Sequence, residues 1–134
     1  MIAVDSSILV NIWSDQPGSH ASDQALHEAL LAGPVVACEV VIAEVCSSFA
    51  NSDDIFDALS DLGVGYSPLE QKSAVRAGEM QRRYRQRGGK RPRAVPDFLV
   101  GSHAMLQCDA LITHDAGFFR DYFKGLKLIV PKAR

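Results

Sequence analysis

The sequence predicts an α/β fold in which helices cover both faces of a mostly parallel sheet. Short apolar runs alternate along the 134 residues with longer segments that have helical cap residues and helical periodicity. This alternation is typical of a parallel sheet, because parallel strands need long crossover connections that are usually helical. The length fits a single domain over residues 1–134, and a hydrophobic fraction of 47% can supply its core.

Five short apolar runs are the predicted strands. In chain order they cover residues 1–4, 35–37, 63–66, 109–113 and 126–130. Turn residues bound some of them, since Gly33-Pro34 precedes the second run and Pro131 follows the last. Runs with so few polar residues are typical of strands that are buried on both faces.

Cap residues and apolar periodicity predict four helices in the first half of the chain. They cover residues 5–13, 19–33, 38–46 and 51–62. Asp5-Ser6-Ser7 offers N-cap chemistry for the first, and Ser19 or Ser22 begins the second. Periodicity alone leaves the third ambiguous, but its length and its Ala and Glu content favour a helix. The predicted inward face of the fourth consists of Ile55, Phe56, Leu59 and Leu62.

Three further helices are predicted in the second half, over residues 67–87, 96–107 and 114–119. Pro96 is expected at the first helical position, where its missing N–H costs nothing. Asp97 then falls in the first turn, where the helix dipole favours an anion. Residues 88–93 form a basic loop, because Gly and Pro together prevent regular structure there.

The composition excludes several classes of protein. The longest apolar run is far shorter than the roughly 18 residues needed to span a bilayer, so we expect no membrane segment. The N-terminus lacks the basic region and apolar stretch of a secretory signal. The three cysteines, an odd number without metal-type spacing, are expected to be buried free thiols in a reducing cytosol, which predicts a cytoplasmic protein.

Charge is distributed very unevenly along the chain. Residues 1–71 contain 11 of the 16 acids and no Lys or Arg, whereas residues 72–134 contain all 14 Lys and Arg residues. Nine of those cations lie between Lys72 and Arg93. Such polarity favours an anionic partner, although a long, solvated helix face is the alternative interpretation.

Four carboxylates are expected near one edge of the sheet: Asp5, Glu44, Asp97 and Asp115. Sites in open parallel sheets form outside the carboxyl ends of the strands. A carboxylate in an apolar stretch, such as Glu44, is costly unless it is paired or bound to a ligand. Four acids at one edge would repel each other without a cation, and an all-oxygen cluster selects Mg²⁺ or Mn²⁺ rather than zinc.

Several segments carry a resemblance to a known family: MIAVDSS at 1–7, AEV at 43–45, PDFLVG at 96–101 and LITHD at 111–115. They resemble the signatures of PIN-domain ribonucleases, most closely the VapC toxins of type II toxin–antitoxin modules. The resemblance covers nearly the whole chain and implies a three-layer α/β/α sandwich. It also implies an endoribonuclease site in which Asp5, Glu44, Asp97 and Asp115 hold Mg²⁺, with Mn²⁺ as an option.

The implied reaction is hydrolysis of an RNA phosphodiester by metal-activated water, since no histidine is placed as a general base. The Thr113 and Ser6 hydroxyls are expected to orient a carboxylate or the water, or else to cap local structure. We assign His114 no role. The residues expected to bind RNA phosphates are Arg82, Arg83, Arg85, Arg87, Lys90, Arg91 and Arg93. Tyr84 is expected to stack on a base.

The resemblance also implies a cognate VapB-like antitoxin that covers the active-site groove, and a homodimer. A non-catalytic PIN-like scaffold for RNA or protein remains the alternative function. Two other protein classes fit less well. A phosphoacceptor receiver domain needs an Asp after the third strand, where Ser67-Pro68 stands, and a haloacid-dehalogenase-type phosphatase needs an Asp at Ser7.

Overall fold

A five-stranded parallel sheet forms the centre of the structure. The computed structural model describes residues 1–49, 51–90 and 94–132. Its strands are β1 (Ile2–Val4), β2 (Val35–Ala37), β3 (Val64–Tyr66), β4 (Ala110–Ile112) and β5 (Lys127–Ile129). They lie in the order β3-β2-β1-β4-β5, and every neighbouring pair is parallel. The predicted α/β fold is therefore confirmed, with a sheet that is parallel throughout.

Seven helices occur in the described part of the chain. They are α1 (Ser6–Trp13), α2 (Ser19–Ala32), α3 (Glu39–Ser48), α4 (Ile55–Leu62), α5 (Gln71–Gln86), α6 (Ala94–Gln107) and α7 (Ala116–Tyr122). None of the helices in these ranges combines the length and the apolar character that crossing a membrane requires.

The central strands place two polar residues side by side. All residues of β1, β2 and β4 are buried, as expected for parallel strands covered on both faces. In the β1–β4 ladder, Val4 pairs with Ile112, and the backbone N–H of Asp5 donates to the Ile112 carbonyl at 2.9 Å. The ladder thus extends one residue beyond β1, and it brings Asp5 next to Thr113.

An aromatic cluster holds α5, α6 and α7 together. Its centre is Phe98, which is fully buried in α6. The Phe98 ring centroid lies 5.6 Å from Tyr84, 5.1 Å from Phe118 and 5.4 Å from Tyr122. These are the tilted and edge-to-face separations that aromatic pairs prefer. Because Asp97 precedes Phe98, the cluster also fixes where the first turn of α6 lies.

Local features of three predicted helices differ from expectation. Helix α6 begins at Ala94, so Pro96 is its third residue rather than its first. The missing N–H of Pro96 still costs nothing, because the first four N–H groups of a helix have no intrahelical acceptor.

Phe56 in α4 was expected to face inward, but it is 55% exposed and packs edge-on against Tyr66. Asp5 occupies the N-cap position of α1 without a side-chain capping bond, since its carboxylate is engaged elsewhere.

Helix α5 begins at Gln71, later than the predicted start at residue 67. The reason is that side chains from other helices bind the preceding backbone. The N–H of Leu69 donates to Glu39 at 2.8 Å, and the N–H of Glu70 donates to Gln107 at 2.9 Å. These bonds hold the segment in a non-helical conformation.

All three cysteines are free thiols, as predicted. Cys38 is buried, whereas Cys46 and Cys108 are only half-buried, so the expectation of burial is met fully by Cys38 alone. Burial raises the pKa of the Cys38 thiol, and it raises the pKa of Cys108 to about 11. Both thiols are therefore protonated at neutral pH and poorly reactive.

Gly101 permits the contact between α6 and the aromatic ring of Phe123, and its replacement should be destabilising. A Cβ at position 101 would lie 2.3 Å from Cε2 of Phe123, which is 2% exposed. We expect Gly101→Ala to lower the free energy of unfolding by about 1–3 kcal/mol, because the ring has no room to move. Gly78→Ala in α5 is the matched control, since nothing lies within 4 Å of its added methyl group. Urea denaturation should show it unchanged or stabilised by about 0.5–1 kcal/mol.

His103 should make stability depend on pH. It is 1% exposed, with Nε2 3.1 Å from the Ser67 hydroxyl oxygen. Burial lowers the pKa of His103 below 6.5, against the opposing effects of a hydrogen bond to the Ser67 backbone and of the Glu39 and Glu70 charges. The unfolded chain therefore binds this proton more readily, and stability contributed by neutral His103 is lost as pH falls below 6.5.

Denaturation at about pH 7 and about pH 5 measures this contribution. We expect the free energy of unfolding to fall more in the wild type than in His103→Gln, which cannot be protonated. Equal falls in the two proteins would show that His103 does not contribute to the pH dependence.

Candidate active site

Asp5 is a buried carboxylate held by two hydroxyl groups. It directly follows β1 and is 6% exposed. Its Oδ2 accepts a hydrogen bond from Thr113 Oγ1 at 2.7 Å and another from Ser7 Oγ at 3.1 Å. Thr113 follows β4 and is itself fully buried. Asp5 is thus fixed between the first turn of α1 and the end of the neighbouring strand.

Burial makes the charged form of Asp5 costly. It raises the pKa of the carboxyl above 3.8, and the nearby charge of Asp115 raises it further. The hydrogen bonds from Thr113, Ser7 and the Ser6 backbone act in the opposite direction but are outweighed. Within the described residues, no Lys or Arg forms an ion pair with Asp5. A bound cation would therefore favour the ionised form of this site.

Glu44 joins the same region through Ser6. It lies half-buried in α3, and its Oε1 accepts a hydrogen bond from Ser6 Oγ at 3.1 Å. Ser6 binds Glu44 and the next residue, Ser7, binds Asp5, so two adjacent serines of α1 hold the two acids. Glu44 also lines an open cleft of about 640 Å³ together with Ala43, Ser47 and Pro96.

Asp97 and Asp115 lie at helix starts, as predicted. Asp97 is in the first turn of α6, directly after Pro96, and one of its carboxylate oxygens is shielded from solvent. Asp115 is the N-cap residue of α7, and its backbone N–H donates to Thr113 Oγ1 at 3.0 Å. The Thr113 hydroxyl therefore contacts Asp5 through its hydrogen and Asp115 through its oxygen.

The oxygen ligands of these side chains suit a hard divalent cation, but the side chains do not surround a single position. The structure places Asp5, Thr113 and Asp115 together, links Glu44 to them through Ser6, and places Pro96 in the cleft of Glu44. In residues 1–49, 51–90 and 94–132, no three His, Cys, Asp or Glu side chains meet as a group able to hold a metal ion. The oxygen ligands suit Mg²⁺, which keeps several waters and often binds through one or two carboxylates.

Two residues near this site act in ways that the sequence did not indicate. Ser7 was expected only as a helix cap, but its hydroxyl donates to Asp5 and accepts from the backbone N–H of His114 at 3.3 Å. The His114 ring, to which no role was assigned, lies with Nε2 2.8 Å from the Ser22 hydroxyl oxygen. Ser22 is 92 positions away along the chain, so no local pattern could have signalled this contact.

The hydrogen-bond network assigns the His114 tautomer. The Asn11 amide nitrogen donates to the Pro17 carbonyl at 3.3 Å, so Asn11 Oδ1 faces Ser22 and accepts its hydroxyl proton at 2.6 Å. Ser22 then has no proton left for His114 and can only accept from it. Nε2 of His114 must therefore carry a hydrogen, and the ring ties the β4–α7 loop to α2.

Only some of the basic residues expected to bind RNA share one surface in the part of the chain that the structure describes. Those at 82, 83, 85, 87 and 90 are exposed, whereas Arg91 and Arg93 lie outside the described residues. Arg83 and Arg87 line a common groove with Lys124. Tyr84 was expected to stack on a base, which is wrong, because it is 8% exposed and packs within the aromatic cluster.

Comparison with known proteins identifies the fold. The family model described as "PIN domain" matches residues 2–124. None of the curated proteins matches the chain. Among solved structures, the chain is similar to VapBC2 from Rickettsia felis bound to a DNA fragment from its promoter, with 19% identity and a TM-score of 0.73 over 98% of this chain and 100% of that one.

Two further structures show the same likeness. A toxin–antitoxin complex from Klebsiella pneumoniae has 20% identity and a TM-score of 0.67, with 100% of both chains covered. VapBC-1 from nontypeable Haemophilus influenzae has 18% identity and a TM-score of 0.71, with 97% of this chain and 98% of that chain covered. At such identities the likeness concerns the fold, and with the family match it confirms the predicted α/β/α arrangement.

Removal of the Ser22 hydroxyl should test the network around His114. Ser22 is fully buried, and Ser22→Ala would leave Asn11 Oδ1 without its donor. We expect the free energy of unfolding to fall by about 1–3 kcal/mol. Ser60→Ala, an exposed serine in α4, should change it by less than about 0.5 kcal/mol. Long-range ¹H–¹⁵N NMR should show hydrogen on Nε2 of His114 in the wild type, and a ring protonated on Nδ1 alone would contradict the assignment.

Proposed function

The chain belongs to the PIN domain family, and from that premise we propose that it is a metal-dependent endoribonuclease of the VapC toxin type. Proteins of this family are generally nucleases. The proposed reaction is hydrolysis of RNA phosphodiester bonds. The observation that carries it is the buried Asp5, held by Thr113 at the carboxyl ends of the two central strands with Asp115 beside it.

In this proposal, Asp5 is the principal metal ligand. Its Oδ2 receives both hydroxyl hydrogen bonds, so the carboxylate is oriented before a cation binds. Glu44, Asp97 and Asp115 contribute directly or through water, which suits an ion that retains part of its hydration. A bound Mg²⁺, or Mn²⁺, supplies an activated water and stabilises charge on the attacking and leaving oxygens.

The surrounding hydroxyls act as positioning groups. Thr113 donates to Asp5 and accepts from the Asp115 backbone, so it sets both acids relative to β4. Ser6 orients Glu44 through one hydrogen bond. Partners of this kind fix the direction of a ligand's lone pairs, and their loss typically lowers metal affinity or activity about 10–100-fold.

We also propose a cognate VapB-like antitoxin as the protein partner, and a homodimer as the assembled form. Support for the antitoxin comes from the structural relatives, several of which are toxin–antitoxin complexes. We propose a cytoplasmic location for the protein, which its three free thiols support, since disulfides are rare in the reducing cytosol.

Cleavage of total cellular RNA by the purified, folded protein tests the proposed enzyme. With Mg²⁺ or Mn²⁺ we expect discrete fragments, and EDTA should abolish them. Asp5→Asn should reduce the rate at least about a hundredfold because it removes the anionic ligand, and Thr113→Val should reduce it about 10–100-fold because it removes the hydroxyl that orients Asp5. Asp57→Asn removes an exposed acid of α4 and serves as the charge-matched control.

The outcomes separate the enzyme from the alternative scaffold. Fragments that persist in EDTA, or an Asp5→Asn protein as active as Asp57→Asn, would rule out this metal site. RNA binding without cleavage under any metal condition would favour a non-catalytic scaffold. Mapping the ends of the fragments would identify the RNA and the cleavage position.

A further inference from the structure

A groove between α5 and the end of α7 has a strongly basic rim. Arg76 and Arg83 line it from α5, Arg87 lines it as the C-cap residue of α5, and Lys124 lines it from the residues after α7. Its volume is about 270 Å³, and the buried Met80 and Phe123 are part of its lining. The sequence had singled out Arg83 and Arg87 among many cations, but not Arg76 or Lys124.

The positive charge of this groove is not neutralised within the described structure. None of the four cations forms an ion pair within 4 Å in the described residues. Asp121 is the one acid among the lining residues that the structure describes, so the rim keeps an excess of positive charge. Like charges held along one groove repel each other and raise the local concentration of anions. The groove is therefore complementary to an anionic occupant.

The spacing of the arginines favours an extended occupant over a single ion. Arg76, Arg83 and the C-cap residue Arg87 are separated by seven and four residues, which places the three on one side of α5. Eleven residues of α-helix extend about 16 Å, so the cations form a row rather than a cluster around one point. A row of this length suits a chain of several negative charges.

We propose that this groove binds the backbone phosphates of single-stranded RNA beside the cleavage site. Three of its four cations are arginines, whose planar guanidinium groups match phosphate oxygens in a bidentate manner. Tyr122 also lines the groove and packs 5.4 Å from Phe98, the residue after Asp97. The groove thus lies one layer of aromatic side chains from an acid of the proposed active site.

This inference rests on the proposed function for the identity of the polyanion, but binding can be measured without turnover. The probe is a fluorescent single-stranded RNA of about 12 nucleotides, mixed with the wild-type protein in EDTA and followed by anisotropy. The test variant is Arg83→Ala/Arg87→Ala. Lys127→Ala/Lys132→Ala is the matched control, because it removes the same charge from exposed positions outside the groove.

Counterion release gives the expected size of the effect. Each lost phosphate contact on a single strand lowers the slope of log K against log salt by about 0.7, so the test variant should lose about 1.4. That change corresponds to about tenfold weaker binding at about 200 mM salt, with a larger loss at lower salt. The control variant should keep the wild-type slope.

Equal slopes in the two double variants would overturn the proposal, because binding would then follow net charge alone. An Arg83→Ala/Arg87→Ala protein that loses affinity for an oligoglutamate peptide but not for RNA would instead assign the groove to an acidic protein partner. With Mg²⁺, we expect the test variant to raise KM about tenfold at about 200 mM salt and to leave kcat unchanged.

The two proposals fail separately. RNA cleavage by the wild type, with a KM and an RNA affinity that are unchanged in the test variant, would overturn the groove and keep the enzyme. RNA binding that depends on Arg83 and Arg87, without cleavage by the wild type under any metal condition, would keep the groove and overturn the enzyme.

Discussion

The hydrogen bond from Thr113 to Asp5 is the contact on which the proposed active site depends. It joins the residues that follow β1 and β4, so its 2.7 Å geometry is a direct result of the sheet register. The same hydroxyl accepts the Asp115 backbone N–H, and Ser7 and Ser6 add the links to α1 and α3. A shift of one residue between the two strands would separate Thr113 from Asp5 and would move Asp115 together with Thr113. The same strand register therefore determines both the pairing of β1 with β4 and the position of Asp115 beside Asp5.

Much of this arrangement could be predicted from the sequence because it follows from local patterns. Apolar runs and cap residues identify the strands and helices, and the position of Asp5 after a strand depends only on where that strand ends. What a local pattern cannot provide is the partner of a side chain from elsewhere in the chain. The arginines around Tyr84 in the sequence predict an exposed aromatic ring, yet the ring packs against Phe98. The sequence shows only that His114 precedes Asp115, yet in the structure its ring forms a hydrogen bond with Ser22 in α2.

The segregation of charge along the chain has a structural meaning. The first 71 residues contribute Asp5 and Glu44 without any Lys or Arg, and the cations begin with α5. In the folded protein, the aromatic cluster around Phe98 lies between the first turn of α6 and the groove of Arg83 and Arg87. Acids and cations thus occupy neighbouring surfaces without forming ion pairs in the described residues.

This separation is a condition for the proposed chemistry. A guanidinium group in contact with Asp5 would offset the cost of its buried charge, but it would also occupy the carboxylate that a metal ion needs. The same arginine, paired with an acid, would have less positive charge for a phosphate. In the described residues no Lys or Arg forms an ion pair with Asp5, so its carboxylate is available to a divalent cation and the row of arginines is available to a polyanion. The aromatic cluster around Phe98 contributes to this separation, because its rings lie between the first turn of α6, which carries Asp97, and the groove of Arg83 and Arg87.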